Sequence, residues 1–194
     1  HSFRIPRPDL NHKTSSPDAC TSCHQGQKPV WAADTINEWF GEKTTSQIHY
    51  GEILQNVMSG APNSEAALKQ LLTDENMPVI IRGSAYNLLM SYPNPDSAKY
   101  ITNALNSDEP LIRLGAIRGS TFIPASERVF LLAPLLTDPY KAIRVEVIRS
   151  LSDIDSSTLN ENDRNAYNNA LEEFLTAENQ VMWRAEGRFN LGIF

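Results

Sequence analysis

The sequence predicts an all-α protein, and the main reason is an internal repeat in the middle of the chain. Three segments align without gaps, and their arginines, Arg82, Arg113 and Arg144, lie 31 residues apart both times. Each segment follows the Leu-rich end of a predicted helix and a polar turn with a proline in or just after it. Two-helix units of this period are typical of an α-solenoid, in which stacked units build one continuous core.

Length and composition are those of a globular protein with a core of its own. The chain has 194 residues, of which 41% are hydrophobic and 21% charged, so disulfide staples are not needed for folding. No run of 18 or more apolar residues occurs, and no membrane span is therefore predicted. The net charge of −6 argues against nucleic acid as a partner, because nucleic-acid-binding faces are basic.

The first 19 residues are expected to form an extended arm. They contain three prolines, which fix φ, remove amide donors and so exclude a continuous helix. The arm also holds two of the four histidines, His1 and His12. An extended arm of this kind is able to fold back over a neighbouring site.

Directly after the arm, Cys20, Cys23 and His24 form a Cys-x-x-Cys-His motif. This spacing is typical of covalent haem c attachment, because each thiol forms a thioether with a vinyl group and the adjacent imidazole binds the iron. The motif predicts haem c as the cofactor, with Cys20 and Cys23 as attachment points and His24 as the proximal iron ligand. Such attachment takes place outside the cytoplasm, so we expect a periplasmic or extracellular protein.

A Cys-x-x-Cys pair also occurs in zinc sites, redox dithiols and short disulfides. A structural zinc site usually takes four protein ligands, and the chain has no third cysteine. A thioredoxin-like motif lies between a strand and a helix, whereas this motif follows a polar run broken by proline. A disulfide would leave His24 without a role. These alternatives stay open, but haem accounts for all three residues.

A helix is predicted to follow the motif and to supply its apolar neighbours. Between Pro29 and Gly41, Trp31, Ile36 and Trp39 recur at helical spacing, which indicates one buried face. Further helices are predicted at 48–60, 65–72 and 162–175, and residues 189–194 resemble the first helix of a tetratricopeptide repeat. We divide the chain into a haem-binding region with the N-terminal arm, helical repeats and C-terminal helices, at residues 1–60, 61–155 and 156–194.

The repeats at about residues 65–155 resemble HEAT repeats, with an aspartate in the turn and an arginine early in the second helix. The resemblance implies that Arg82, Arg113 and Arg144 are structural and take no part in catalysis. The expected fold is therefore a c-type haem-binding region followed by a HEAT-like α-solenoid.

Residues 1–10, 17–19, 31–33 and 49–52, together with the motif, are similar to a family of bacterial multihaem cytochromes c. Members carry HEAT-like and tetratricopeptide segments after the haem region and further haem motifs upstream, whereas this chain has one motif. The resemblance implies electron transfer in the cell envelope. We expect the chain to be part of a larger multihaem protein or of an assembly, which includes an oligomer of this chain. Its expected partners are redox proteins or other haem subunits.

The second axial ligand of the iron is expected to be a histidine, because the arm and the helix at 48–60 each offer one and the family uses histidine pairs. An antiparallel pairing of the first two helices would favour His1 over His49, with His12 third. Met58 is the main alternative donor, and a five-coordinate iron is also considered.

Two functions are compatible with these patterns. The first is an electron carrier without substrate chemistry of its own, since no nucleophile with a matched base and no P-loop or dinucleotide fingerprint is found. The second is a protein-interaction scaffold in which the haem is a sensor or a structural group.

Overall fold

The computed structural model describes residues 6–41 and 48–192, and all regular structure in these ranges is helical. The all-α prediction is confirmed for this part of the chain. Five short 3-10 turns accompany the helices, at Pro8–Leu10, Leu89–Ser91, Ser120–Phe122, Ala133–Thr137 and Ser156–Thr158. The α-helices are α1 (Asn11–Thr14), α2 (Ala19–Cys23), α3 (Pro29–Phe40), α4 (Tyr50–Met58), α5 (Ser64–Thr73), α6 (Val79–Leu88), α7 (Pro95–Ala104), α8 (Pro110–Gly119), α9 (Ala125–Leu132), α10 (Lys141–Ser150), α11 (Glu161–Gln180) and α12 (Ala185–Leu191).

The chain forms two compact units, His1–Lys69 and Gln70–Phe194, and the division between them falls within the residues of α5. We call them the N-terminal and the C-terminal unit. The division into three regions made from the sequence stays a prediction.

Residues 8–14 of the N-terminal unit do not follow the extended path that was predicted for the arm. Pro8 begins a 3-10 turn and α1 continues from it. Proline is tolerated at a first helical position, because its fixed φ fits the helix and its missing N–H would have no partner there. Asp9 lies in the same first turn, where a negative charge is favourable, and accepts two hydrogen bonds from Arg7, both of 2.8 Å.

These short helical turns are the main neighbours of the longer helices. α3 packs against the turn Pro8–Leu10 and against α2, and α4 packs against α1. The buried apolar side chains of the elements involved are Pro8, Leu10, Ala32, Ile36 and Val57. The main neighbour of α4 is therefore the arm, and not α3 as the antiparallel pairing assumed.

The 31-residue repeat appears in the C-terminal unit as a row of neighbouring helices. α8 packs against α6 and α10, and α10 packs also against α11. The repeat-equivalent residues Ala85, Ala116 and Val147 all have 0% exposure. The periodicity of the sequence thus places equivalent side chains in one core, as stacked helical units require.

Two arginines of the repeat connect successive helical units through buried or half-buried hydrogen bonds. Arg113 donates to both carboxylate oxygens of Asp138 (2.8 and 3.2 Å) and to the carbonyl of Ser107 (2.7 Å). Arg144 donates to the carbonyl of Asp138 (2.6 Å) and to both carboxylate oxygens of Glu173 (2.8 and 2.6 Å). Each arginine therefore joins the turn before its own helix to an acid of the next unit.

Arg82, the third arginine of the repeat, makes a simpler contact. Its Nε donates to the carbonyl of Leu72 at 3.0 Å. The residue 31 positions before Asp138 is Ser107, so a hydroxyl group stands where Arg113 has a carboxylate partner.

A series of hydrogen-bonded side chains, most of them charged, connects α8, α10, α11 and α12. Arg118 donates to Glu146 (3.0 Å), Arg149 donates to Glu146 (2.6 Å) and to Glu178 (2.5 Å), and Asn190 donates to Glu178 (3.1 Å). Both carboxylates are buried, at 7% and 5% exposure. Buried carboxylates need partners of this kind, because an unpaired charge in the interior is costly. We call this set the carboxylate chain.

Candidate functional site

The short helix α2 brings Cys20, Cys23 and His24 together. The Asp18 side chain caps its N-terminus, accepting from the amide of Thr21 (2.9 Å) and from its hydroxyl (2.6 Å). At the other end, the amide of His24 donates to the carbonyl of Cys20 at 2.9 Å. Residues three and four apart share a helix face, so one helical turn presents both thiols and the imidazole on the same side.

α2 and α3 line a cavity of about 350 Å³. α3 contributes Trp31 and Ile36 from the face that was predicted to be buried. The prediction was wrong for Trp39, which lies at the end of α3 and is 68% exposed, whereas Trp31 is half-buried. The lining residues are Ala19, Cys20, Cys23, His24, Trp31, Ala32, Thr35, Ile36 and Trp39. The cavity is therefore mainly apolar and aromatic, with the motif at its edge.

The imidazole of His24 lies against the indole of Trp31. Their ring centroids are 5.0 Å apart, and the planes are tilted by 56°. Contacts of this type favour particular ring orientations. The sequence placed Trp31 in the core, but its contact with His24 depends on the angle between α2 and α3, which the motif does not specify.

The residues present fit a covalently attached haem. Both thiols are free and at least partly exposed, and His24 is exposed next to them. The side chains of α3 offer an apolar surface with aromatic rings, which suits a flat macrocycle. Cys20 and Cys23 would hold the group and His24 would bind its iron.

The candidate distal ligands lie elsewhere or outside the described residues. His49 caps α4, where its Nδ1 accepts from the amide of Gly51 at 3.1 Å, and its ring lies 4.0 Å from that of Tyr50. His49 and Met58 both line another cavity, of about 380 Å³, which does not include His24. His1 and the side chain of His12 lie outside the described part. The identity of the distal ligand stays a prediction.

Asp18 is a residue of the site that the sequence reasoning missed. Hydrogen bonds from the Thr21 hydroxyl and then from its amide hold the pKa of the Asp18 carboxyl below its usual range. An aspartate three residues before a threonine, just ahead of a short helix, is a recognisable capping pattern. The same pattern fixes the start of the helix that carries the motif.

Within residues 6–41 and 48–192, no three His, Cys, Asp or Glu side chains are grouped so that they would hold a metal ion. A haem does not require such a group, since the porphyrin supplies four iron ligands. Over the same ranges no helix is long and apolar enough to cross a membrane. The function has to be inferred from the side chains around α2 and α3, because no family model, curated protein or solved structure matches the chain.

Proposed function

We propose that the protein is a c-type cytochrome that transfers electrons through a covalently bound haem. The observation that carries this proposal is that one helical turn presents Cys20, Cys23 and His24 at the edge of an aromatic cavity. The spacing of the motif alone would also suit a dithiol or a disulfide. A large apolar surface beside both thiols favours a large apolar cofactor over these alternatives.

Each part of the cavity has a role in this proposal. When bound, the haem supplies a one-electron couple at its iron. Trp31 limits the orientations of the His24 imidazole, and the buried Ala32 and Ile36 keep water from the inner side. The largely exposed Trp39 marks the side of the cavity that faces solvent. A redox partner therefore approaches along the edge of α3 that carries Trp39.

We further propose that residues 61–155 form a HEAT-like α-solenoid, followed by C-terminal helices at 156–194, and that the chain is part of a larger multihaem protein or assembly. The 31-residue spacing and the bonds of Arg113 and Arg144 support this. The partners are then redox proteins or other haem subunits. The location is periplasmic or extracellular, as covalent haem attachment requires.

The proposal is tested by the mass of the full chain, produced in a host that attaches haem c. We expect a mass increase of one haem that survives acid and denaturant, because thioether bonds are covalent. Replacing both thiols (Cys20→Ser with Cys23→Ser) should abolish the increase.

Ser22→Ala is the matched control for this experiment. Ser22 lies between the two cysteines, is exposed and donates to the carbonyl of Asp18 at 3.3 Å, so its loss should leave attachment unchanged. An unmodified wild-type mass from a competent host would falsify the cytochrome proposal.

The alternative function is an interaction scaffold whose haem is a sensor or a structural group. One observation favours it. Among the described residues that line the cavity, His24 is the only histidine, and no methionine lines it. A sixth iron ligand from this chain must then come from elsewhere, and an external diatomic ligand competes more easily for an open position.

A further inference from the structure

A separate cavity lies in the C-terminal unit, between α9 and the segment that leads into α11. Its volume is about 350 Å³, at the lower end of the range of typical ligand pockets, roughly 300–1,000 Å³. We call it the α9 groove. Its lining residues are Ser126, Val129, Phe130, Ala133, Asp153, Ile154, Asp155, Thr158, Leu159, Asn160 and Asp163.

The groove arises where the helical repeat becomes irregular. Six residues separate α6 from α7 and five separate α8 from α9, whereas ten separate α10 from α11. α11 therefore begins later in the sequence than the earlier connections would predict. Residues 153–160 lie beside α9, where the first turn of α11 would otherwise be. A loop with a 3-10 turn covers less of a neighbouring helix than a complete helix does, and part of α9 stays open.

The side of α9 that borders the groove carries a mainly apolar stripe. Ser126, Val129 and Phe130, with Ala133 just after the helix, recur at the spacing of one helix face and line the groove. Val129 is buried, at 7% exposure. Phe130 is 80% exposed, the highest value of any large hydrophobic side chain in the described part of the chain. The residue 31 positions earlier is Lys99, so the aromatic ring replaces a charged side chain of the preceding unit.

Three carboxylates surround this apolar stripe, and two are not paired with a cation. Asp153 accepts two hydrogen bonds from the buried Arg128, of 2.5 and 2.6 Å. Asp155 accepts from the amide of Ser157 (2.9 Å), and Asp163 accepts from the side-chain amide of Asn160 (2.6 Å).

The second arginine near the groove does not neutralise these carboxylates. Arg164 donates to the carbonyl oxygens of Ser156 (3.2 Å), Ser157 (2.8 Å) and Leu159 (2.8 Å). The pKa of the Asp155 carboxyl is lowered mainly by the hydrogen bonds from Ser157, and the attraction of Arg164 contributes less. With three carboxylates and two guanidinium groups, the edge of the groove is negative.

We propose that the α9 groove binds a peptide segment in which an apolar side chain is flanked by lysine or arginine. The apolar side chain packs against Phe130 and Val129, and the cationic residues face Asp155 and Asp163. Charge complementarity selects this partner, because an acidic or phosphorylated segment would be repelled by the same carboxylates. The site lies in the C-terminal unit and does not depend on haem.

The test uses the full chain and two short synthetic peptides. Each has a central phenylalanine, flanked by lysines in one peptide and by glutamates in the other. We expect the lysine peptide to shift the amide resonances of the groove residues, with an affinity that falls as salt is added. Phe130→Ser should weaken binding about tenfold or more, because it removes most of the apolar contact.

Conservative variants separate the effect of charge on peptide binding from any effect on folding. Asp155→Asn and Asp163→Asn keep a side-chain acceptor for the existing hydrogen bonds and should each weaken the lysine peptide about two- to fivefold. Phe189→Ser and Glu172→Gln are the controls, since Phe189 is 71% exposed and Glu172 is exposed, both outside the groove. Equal binding of the two peptides, no binding at about 1 mM, or equal effects of Phe130→Ser and Phe189→Ser would overturn the proposal.

Discussion

At the scale of single residues, Asp18 connects the parts of the site. It caps α2 through Thr21 and also lines the cavity that contains His49. Its sequence neighbours Ala19 and Cys20 line the cavity with His24. The start of α2 therefore borders both cavities, and a disturbed cap would change the presentation of the two thiols.

The Asp18 cap should depend on pH. Because the folded-state pKa of Asp18 is lowered by the hydrogen bonds from Thr21, the cap is fully formed above the unfolded-state pKa, about 3.9 for aspartate. It is lost as the pH falls through the lower folded-state pKa. We expect the amide proton resonance of Thr21 to titrate with a midpoint below about 3.9.

Asp18→Asn provides the control for this titration. Asparagine also caps helices but does not ionise, so the Thr21 resonance should lose this transition while α2 is retained. A wild-type midpoint at or above the usual aspartate value would contradict the assignment of the cap.

At the scale of helices, the closest approach involves α6 and α8. A Cβ added to Gly115 would lie 2.0 Å from the carbonyl oxygen of Gly83, and one added to Gly83 would lie 2.5 Å from that of Leu111. These atoms belong to the backbone, so no side-chain rotation relieves the clash. A third glycine of α8, Gly119, makes a similar approach, since its added Cβ would lie 2.3 Å from the carbonyl oxygen of Tyr86 in α6. The two helices pack this closely because these positions are glycine.

Gly115→Ala should therefore destabilise the protein. Alanine gains about 1 kcal/mol of helix propensity over glycine, but overpacking at a close contact typically costs about 1–3 kcal/mol, and here backbone must move. We expect a net loss of stability, seen as a lower midpoint in thermal or denaturant unfolding.

Gly26→Ala is the matched substitution, since a Cβ at Gly26 would have nothing within 4 Å. Its effect should stay within about 0.5 kcal/mol, as for most surface changes. If Gly115→Ala were as stable as Gly26→Ala, the close packing of α6 on α8 would be wrong.

At the scale of the whole molecule, redox behaviour separates the two proposed functions. For an electron carrier we expect a reversible one-electron wave and low-spin spectra in both states, without the weak absorption band that marks methionine on ferric haem. Binding of carbon monoxide or nitric oxide to the reduced protein, with a change in partner affinity, would instead support the sensor. His49→Ala and His1→Ala should then show whether either histidine is the sixth ligand.

The sequence predicts features that depend on local spacing better than those that depend on distant contacts. The helices, the buried Ile36 of α3 and the shared turn of Cys20 and His24 follow from periodicity and from one motif. The helical turn at Pro8 was missed because the three prolines, which exclude a continuous helix, were taken to favour an extended path through the whole arm. The carboxylate chain was missed because Glu146 occupies the position equivalent to Gly115, so its acid does not repeat along the sequence.

The carboxylate chain has a mechanical consequence. Glu146 on α10 is held by arginines from α8 and α10, and Glu178 on α11 is held by Arg149 and Asn190. Sliding α10 past α11 by one turn would separate Arg149 from Glu178 and leave that buried carboxylate without a cation, at a cost of about 3–5 kcal/mol. Sliding α10 past α8 costs less, because Glu146 would lose Arg118 but keep Arg149 of its own helix. Shear between α10 and α11 is therefore resisted more strongly than shear between α8 and α10.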